Sequence, residues 1–220
     1  MSSIFEDLYV MEDPVGNRPF RGSVDCSTEA FAAGGGRCDH GAPRLKVDVR
    51  RSGQGSISMD FTIRQADFTN PEDCAGVVDV LNSYASDQVG GGQPLTREVR
   101  ERLPVGLREH PTTLVFLAFV EGRPVGVAVC FLGFSTFQAR PLLNIHDLAV
   151  VPDWRGQGIG RALLEAVEAE AIQRGCCKIT LEVQDANRQA RGLYERYGFS
   201  DFVLNNSPTR FLCKLLASRA

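Results

Sequence analysis

The sequence has no surplus of either charge. Its 24 Lys and Arg stand against 27 Asp and Glu, for a formal net charge of -3. A chain so balanced exerts no global pull on phosphate polymers, and no local basic patch makes up for it, so a nucleic-acid partner is excluded and a small molecule is expected. No stretch approaches the roughly 20 apolar residues needed to span a bilayer. Residues 1–20 also lack a basic end followed by an apolar run, which points to a soluble, cytoplasmic protein with no membrane partner. A disulfide framework is missing too: the 7 cysteines are odd in number and irregularly spaced. Cys130, Cys177 and Cys213 lie in or beside apolar segments, so reduced thiols are expected. For a metal, Cys38 with His40 and Cys26 upstream lacks a second pair of ligands, and no metal is expected.

What is present suffices for one domain and an appendage: 220 residues, 43% hydrophobic. Residues 1–57 show little periodicity, with Gly34-Gly35-Gly36 and Gly53-Gln54-Gly55 among scattered charges, and read as a poorly ordered N-terminal extension. The folded domain is placed at 58–220, because Met59-Asp60-Phe61-Thr62-Ile63-Arg64 alternates like a strand. With a methionine at that boundary, Met59 is an alternative start of the chain, and mass spectrometry of the native N-terminus distinguishes the two.

The spacing of Cys74, Val77, Val78, Leu81 and Ala85 predicts a helix over 71–86, opened by Asn70 and Pro71. A second short helix from Thr96 is expected to end near Pro104. Apolar, β-rich runs at 113–120 and 124–134 flank a tight turn, and a third run covers 142–150. A helix follows over 160–174, then a strand over 178–183, a helix over 189–197, and two terminal strands near 199–203 and 209–214. The order implies an α/β fold: a mixed, largely antiparallel central sheet flanked by helices.

Between the third strand and its helix lies Arg155-Gly156-Gln157-Gly158-Ile159-Gly160-Arg161. Glycines at alternate positions let the backbone approach a ligand closely, and the unpaired amides of a helix start favour an anion. The spacing fits neither an NTPase loop, for want of Gly-Lys-Ser or Gly-Lys-Thr, nor a dinucleotide fold. Taken alone, such a cluster is as often just a turn.

This stretch resembles the pyrophosphate motif of the GNAT N-acetyltransferase family, Arg/Gln-x-x-Gly-x-Gly/Ala, at Arg155, Gly158 and Gly160. Asp147-Leu148-Ala149-Val150-Val151-Pro152 looks like that family's fourth strand, and Asn187 with Leu193-Tyr194-Glu195-Arg196-Tyr197-Gly198-Phe199 like its late helix and exit turn. The likeness runs from about Phe61 onward. It implies the acyl-CoA N-acyltransferase fold with a strand splay, and a transferase moving acetyl from acetyl-CoA, as co-substrate, to a small-molecule primary amine by direct attack. Under it the amides of Gly156, Gln157, Gly158, Ile159, Gly160 and Arg161, with Arg155 at the mouth, hold the pyrophosphate. The backbone of Leu148, Ala149 and Val150 and the side chain of Asn187 meet the pantetheine.

The same likeness makes Tyr194 the general acid, although its helical spacing with Ala190 and Tyr197 also reads as packing. His146 is a candidate base, as histidines commonly are, or else a strand residue satisfied by a nearby backbone group. Strand alternation would point Asp147 away from it. Phe134-Ser135-Thr136-Phe137 is similar to the polyamine acetyltransferase branch, but that branch carries an acidic residue where His146 stands, which puts polyamine specificity in doubt. Trp154 is expected to pack over the loop edge, and Cys176 and Cys177 to be inert. Acceptors on proteins, lysine or N-terminal amines, are an alternative, as is a non-catalytic CoA-binding sensor module. Members of the family often pair, so a homodimer is open.

Overall fold

The computed structural model describes residues 46–49, 57–204, 207–209 and 211–214. Six strands form one sheet in chain order: β1 (Lys46–Val49), β2 (Ile57–Gln65), β3 (Thr113–Val120), β4 (Arg123–Ser135), β5 (Arg140–Val150) and β6 (Ile179–Leu181). Neighbours are antiparallel except β5 and β6, the parallel pair that needs a crossover helix. The proposed domain boundary at 57/58 falls inside β2, and β1 lies before it, pairing Lys46 with Asp60. The rest of the segment 1–57, with Cys26, Cys38 and His40, lies outside the described residues.

Each face of the sheet carries its own core. On one, α1 (Pro71–Ser86) and α2 (Arg97–Glu109) bury Val77, Val80, Leu81 and Leu107 against Val115, Leu117, Val127 and Val129. On the other, α3 (Ile159–Gln173) and α4 (Arg188–Tyr197) lay Leu163, Leu164, Val167 and Tyr194 over Phe61, Ile63, Leu143 and Ile145. Among the described residues no helix is long and apolar enough to cross a membrane. Cys130 is fully buried in the second core, and burial pushes its thiol up to about 12, as suits an inert packing residue.

Local chemistry sets most boundaries. Asn70 caps α1 by accepting from the Glu72 amide at 2.9 Å, with Pro71 in the first turn. The hairpin between β3 and β4 turns on Glu121 and Gly122, both at positive φ (48° and 75°), the pattern of a two-residue primed turn. Gly175 and Gly198, at φ 66° and 106°, close α3 and α4.

Two expectations are corrected. Helix α2 does not end near Pro104 but runs to Glu109 with the proline inside it, because the turn beyond carries the buried Leu107 into the core and packing outweighs one missing donor. The terminal strands shrink to β7 (Val203–Leu204) and β8 (Ser207–Pro208), a separate two-stranded ribbon. Strand β6 is likewise shorter than the run 178–183.

The buried polar anchor of the fold is Asp73, fully enclosed, which takes two prongs of Arg64 and the Asp67 amide. Burial alone would raise the Asp73 pKa, but Arg64 and the Asp67 amide outweigh it and hold the carboxyl below its usual range. Asp73→Ala should therefore cost about 3 kcal/mol in urea denaturation, the lower end for a broken pair because Arg64 still reaches water. The carboxylate's contribution should be complete above its unfolded pKa of about 3.9 and disappear as pH falls through the lower folded value, so that wild type and variant converge in acid.

Candidate active site

Strand β5 is paired along its whole length with β4, but β6 accompanies it only from Leu143 to Ile145. Beyond Ile145, opposite Leu181, no strand among the described residues pairs with the outer backbone edge of β5, and the two parallel strands part. At the same point β5 carries a bulge: Val129 pairs with Asp147 while the next residue of β4, Cys130, pairs with Ile145, leaving His146 as the extra residue.

The bulge corrects the expected alternation. Directly opposed residues share a face, so Asp147 lies on the side of Val129 and Asn144 on that of Phe131, and both partners pack toward α1 and α2. His146, two residues after Asn144, shares this face; its ring meets Phe131 edge-on with centroids 5.6 Å apart. His146 and Asp147 thus stand together on the α1/α2 side. His146 is exposed, and the carboxylate of Asp147 is half-buried with no hydrogen bond or ion pair among the described residues. Burial raises the Asp147 pKa, and the adjacent His146 pulls it partly back.

Next to the parted strands, a 3-10 turn (Pro152–Trp154) leads into the glycine-rich segment. Gly156 and Gly158 take φ of 73° and 85°, conformations that a Cβ disfavours. The first helical bond of α3 is Ala162 N–H to Gly158 O at 3.0 Å, and among the described residues the amides of Gly156, Gln157, Gly158, Ile159, Gly160 and Arg161 have no acceptor. No side chain caps α3. A Cβ on Gly160 would meet Leu193 Cδ2 at 3.1 Å, so this glycine lets α4 close over the helix start.

Together these elements enclose a cleft of about 380 Å³, bordered by Tyr84, Leu148, Trp154, Gly158, Asn187 and Tyr194 among others. Tyr194 is only 9% exposed. Burial first, then Tyr84 and Asp147, push its phenol up to about 12, and its hydroxyl has no partner among the described residues. It remains a protonated donor over any ordinary pH. Helix α4 is capped at its start, where Asn187 Oδ1 accepts from Ala190 N–H at 3.1 Å, and is held to α3 at its end, where Tyr197 donates to Glu168 at 2.6 Å.

Of the residues read from sequence, Leu148, Val150, Arg155, Gly156, Gly158, Gly160, Arg161, Asn187 and Tyr194 border the cleft, and Ala149 does so with its side chain in the α1/α2 core. Ile159 is buried in the opposite core, leaving only its backbone to the turn. Gln157 is buried, its Nε2 donating to Asp153 O at 2.9 Å while its Oε1 has no partner among the described residues. Arg155 donates through Nε to Val150 O at 2.8 Å and pairs through Nη1 with Asp87 Oδ2 at 2.7 Å. One carbonyl expected to face pantetheine is thereby claimed. Arg161 pairs with Glu165 at 2.9 Å, and the Asn187 oxygen is taken by its cap. Trp154 both packs on the core and borders the cleft. Sequence reasoning missed Tyr84 and Asp87: one reads as part of a helical stripe, the other as a helix end, and no motif marks either.

The profile of the Acetyltransferase (GNAT) family matches residues 77–199. An uncharacterized N-acetyltransferase of Bacillus subtilis (strain 168), YhfO, is 30% identical over 143 residues, covering 64% of this chain and 91% of that protein. A thialysine N-epsilon-acetyltransferase of Bos taurus is 35% identical over 79 residues, 36% of this chain and 46% of that protein, so the likeness spans less than half of the bovine enzyme. Among solved structures, a ribosomal-protein-alanine N-acetyltransferase from Brucella melitensis biovar Abortus 2308 superposes with a TM-score of 0.59 at 19% identity, over 70% of this chain and 99% of that one, a likeness of fold.

Because Gly158 is held at φ 85°, Gly158→Ala should lose about 1–2 kcal/mol of stability. Gly106 in α2 has open space around its Cα, and Gly106→Ala should gain about 0.5–1 kcal/mol. Thermal denaturation of the two variants beside wild type checks the contrast.

Proposed function

The chain belongs to the GNAT family of N-acetyltransferases, and from that premise we propose that it transfers acetyl from acetyl-CoA to a small primary amine by direct attack. The observation carrying this reading is the run of unclaimed amides from Gly156 to Arg161 at the mouth of the parted strands. These donors, at the positive end of α3, suit a diphosphate. The free outer edge of β5 at Leu148 and Ala149 suits a pantetheine arm, with a backbone donor to polarise the acyl oxygen as the oxyanion develops. When bound, the thioester supplies an activated carbonyl and a thiolate leaving group.

Tyr194 in the cleft, and His146 and Asp147 on the strand just before its Leu148 border, divide the remaining work. Tyr194 reaches the thiolate side from α4. Its phenol, at about 12, lies well above a free thiol near 8.5, so outright proton transfer runs uphill in ordinary surroundings and a hydrogen bond to the departing sulfur is the favoured form of assistance. On the acceptor side the bulge gathers His146 and Asp147 on one face. The half-buried carboxylate attracts an ammonium group, and the exposed imidazole takes the proton that the amine must lose before attack. The bovine relative named for thialysine, itself a primary amine, supports a small free amine as acceptor.

Tyr194→Phe should lower kcat about 100-fold in a thiol-release assay while leaving the KM for acetyl-CoA within about threefold. The wild-type kcat profile should show no descending limb from Tyr194 below about pH 11, given its raised pKa. Equal turnover by both proteins would remove Tyr194 from the chemistry. Gly158→Val should abolish coenzyme A binding by calorimetry, and undiminished binding would count against the turn as the diphosphate site.

A further inference from the structure

Arg155 does more than border the turn. Its Nε is fixed on Val150 O and its Nη1 on Asp87 Oδ2, while Nη2 has no acceptor among the described residues and the side chain borders the cleft. The Asp87 end of this pair is the hub of the α1–α2 connection. Its Oδ1 accepts from Val89 N–H at 3.3 Å, and its carbonyl accepts from Gly90 and Gly92 at 2.9 and 2.8 Å. Both side chains are mostly shielded from water, 29% and 22% exposed for Arg155 and Asp87. The connection contains Gly91 and Gly92 at positive φ and contributes Val89 to the cleft, with Tyr84 just before it. Its attachment to the cofactor turn, 68 residues away in sequence, runs through this pair.

We propose that Asp87 is a positioning residue, a tether through which a diphosphate held in the 156–161 turn stiffens residues 88–93, the connection that brings Val89 to the cleft. The inference rests on the reading of the turn given above. An anion engaging the free Nη2 restrains a guanidinium already fixed at two other nitrogens, and the restraint passes through Nη1 to the aspartate around which the glycine-rich connection folds. Loading of the diphosphate then orders the part of the cleft wall formed by Val89, and by linkage the ordered wall favours the diphosphate in return.

Hydrogen–deuterium exchange of residues 88–93, with and without coenzyme A, tests the tether in wild type, Asp87→Asn, Asp87→Ala and Arg155→Ala, each loaded to saturation by calorimetry. Coenzyme A should slow exchange in wild type about tenfold, partly in Asp87→Asn, whose amide oxygen still accepts from Arg155, and not in the two alanine variants. Equal protection in wild type and Asp87→Ala would overturn the tether, as would absence of protection in a wild type that binds coenzyme A. Should Asp87→Ala not fold, full protection persisting in both Asp87→Asn and Arg155→Ala overturns it as well. A wild type that binds no coenzyme A would instead fell the reading of the turn, and the tether with it.

Discussion

Past Ile145, the outer edge of β5 is the constraint around which the molecule is arranged. Backbone donors and acceptors released from a sheet are costly unless something else meets them, and the site is built from that obligation. Part of it is met internally, since Arg155 folds back to cover the Val150 carbonyl and so laces the turn to the strand that precedes it. The remainder, continued by the amides of the turn, presents polar backbone in a wall otherwise lined by Leu148, Trp154 and Tyr194. The two cores on opposite faces hold β5 against β4 throughout, so the opening comes from a strand that stops and not from a sheet that is loose.

Burial sets the electrostatic character of this opening. Tyr194 and Tyr84 in the cleft, and Asp147 on the strand that leads to it, are displaced toward their neutral forms, with burial the leading cause in each. A cleft that discourages charge on its own groups strengthens the attraction of any cation brought to Asp147, because little water is present to compete. The bulge matters for the same reason. Were His146 paired with Val129 in a regular ladder, Asp147 would fall opposite Ala128 and turn toward α3 and its packed interior, away from α1 and Tyr84.

Much of this was legible in the chain itself. The glycine spacing at 156, 158 and 160, the helix stops at Gly175 and Gly198, and the Asn70 and Pro71 start all act through local backbone chemistry, which sequence displays directly. What escaped depended on partners distant in sequence. The persistence of α2 through Pro104 requires knowing that Leu107 has a core to enter. The His146 bulge is a property of the register with β4, invisible in a strand read alone, and it reversed the side assigned to Asp147. Asp87 and Tyr84 belong to the site only because the end of α1 arrives beside a turn read some seventy residues later in the chain.

The short helix bearing Tyr194 carries a last implication. Its N-terminal amide is fastened to Asn187, its final turn is clasped to Glu168 through Tyr197, and the rings of Tyr194 and Tyr197 both lie against Phe199 just past the stop. The clasp to Glu168 and the rings on Phe199 hold the end of the helix against its neighbours, and rolling about its own axis would strip Leu193 from Gly160. The phenol is therefore held by a frame already complete within the protein, built from the Tyr197 clasp, the Phe199 ring and the close seat of Leu193 on Gly160.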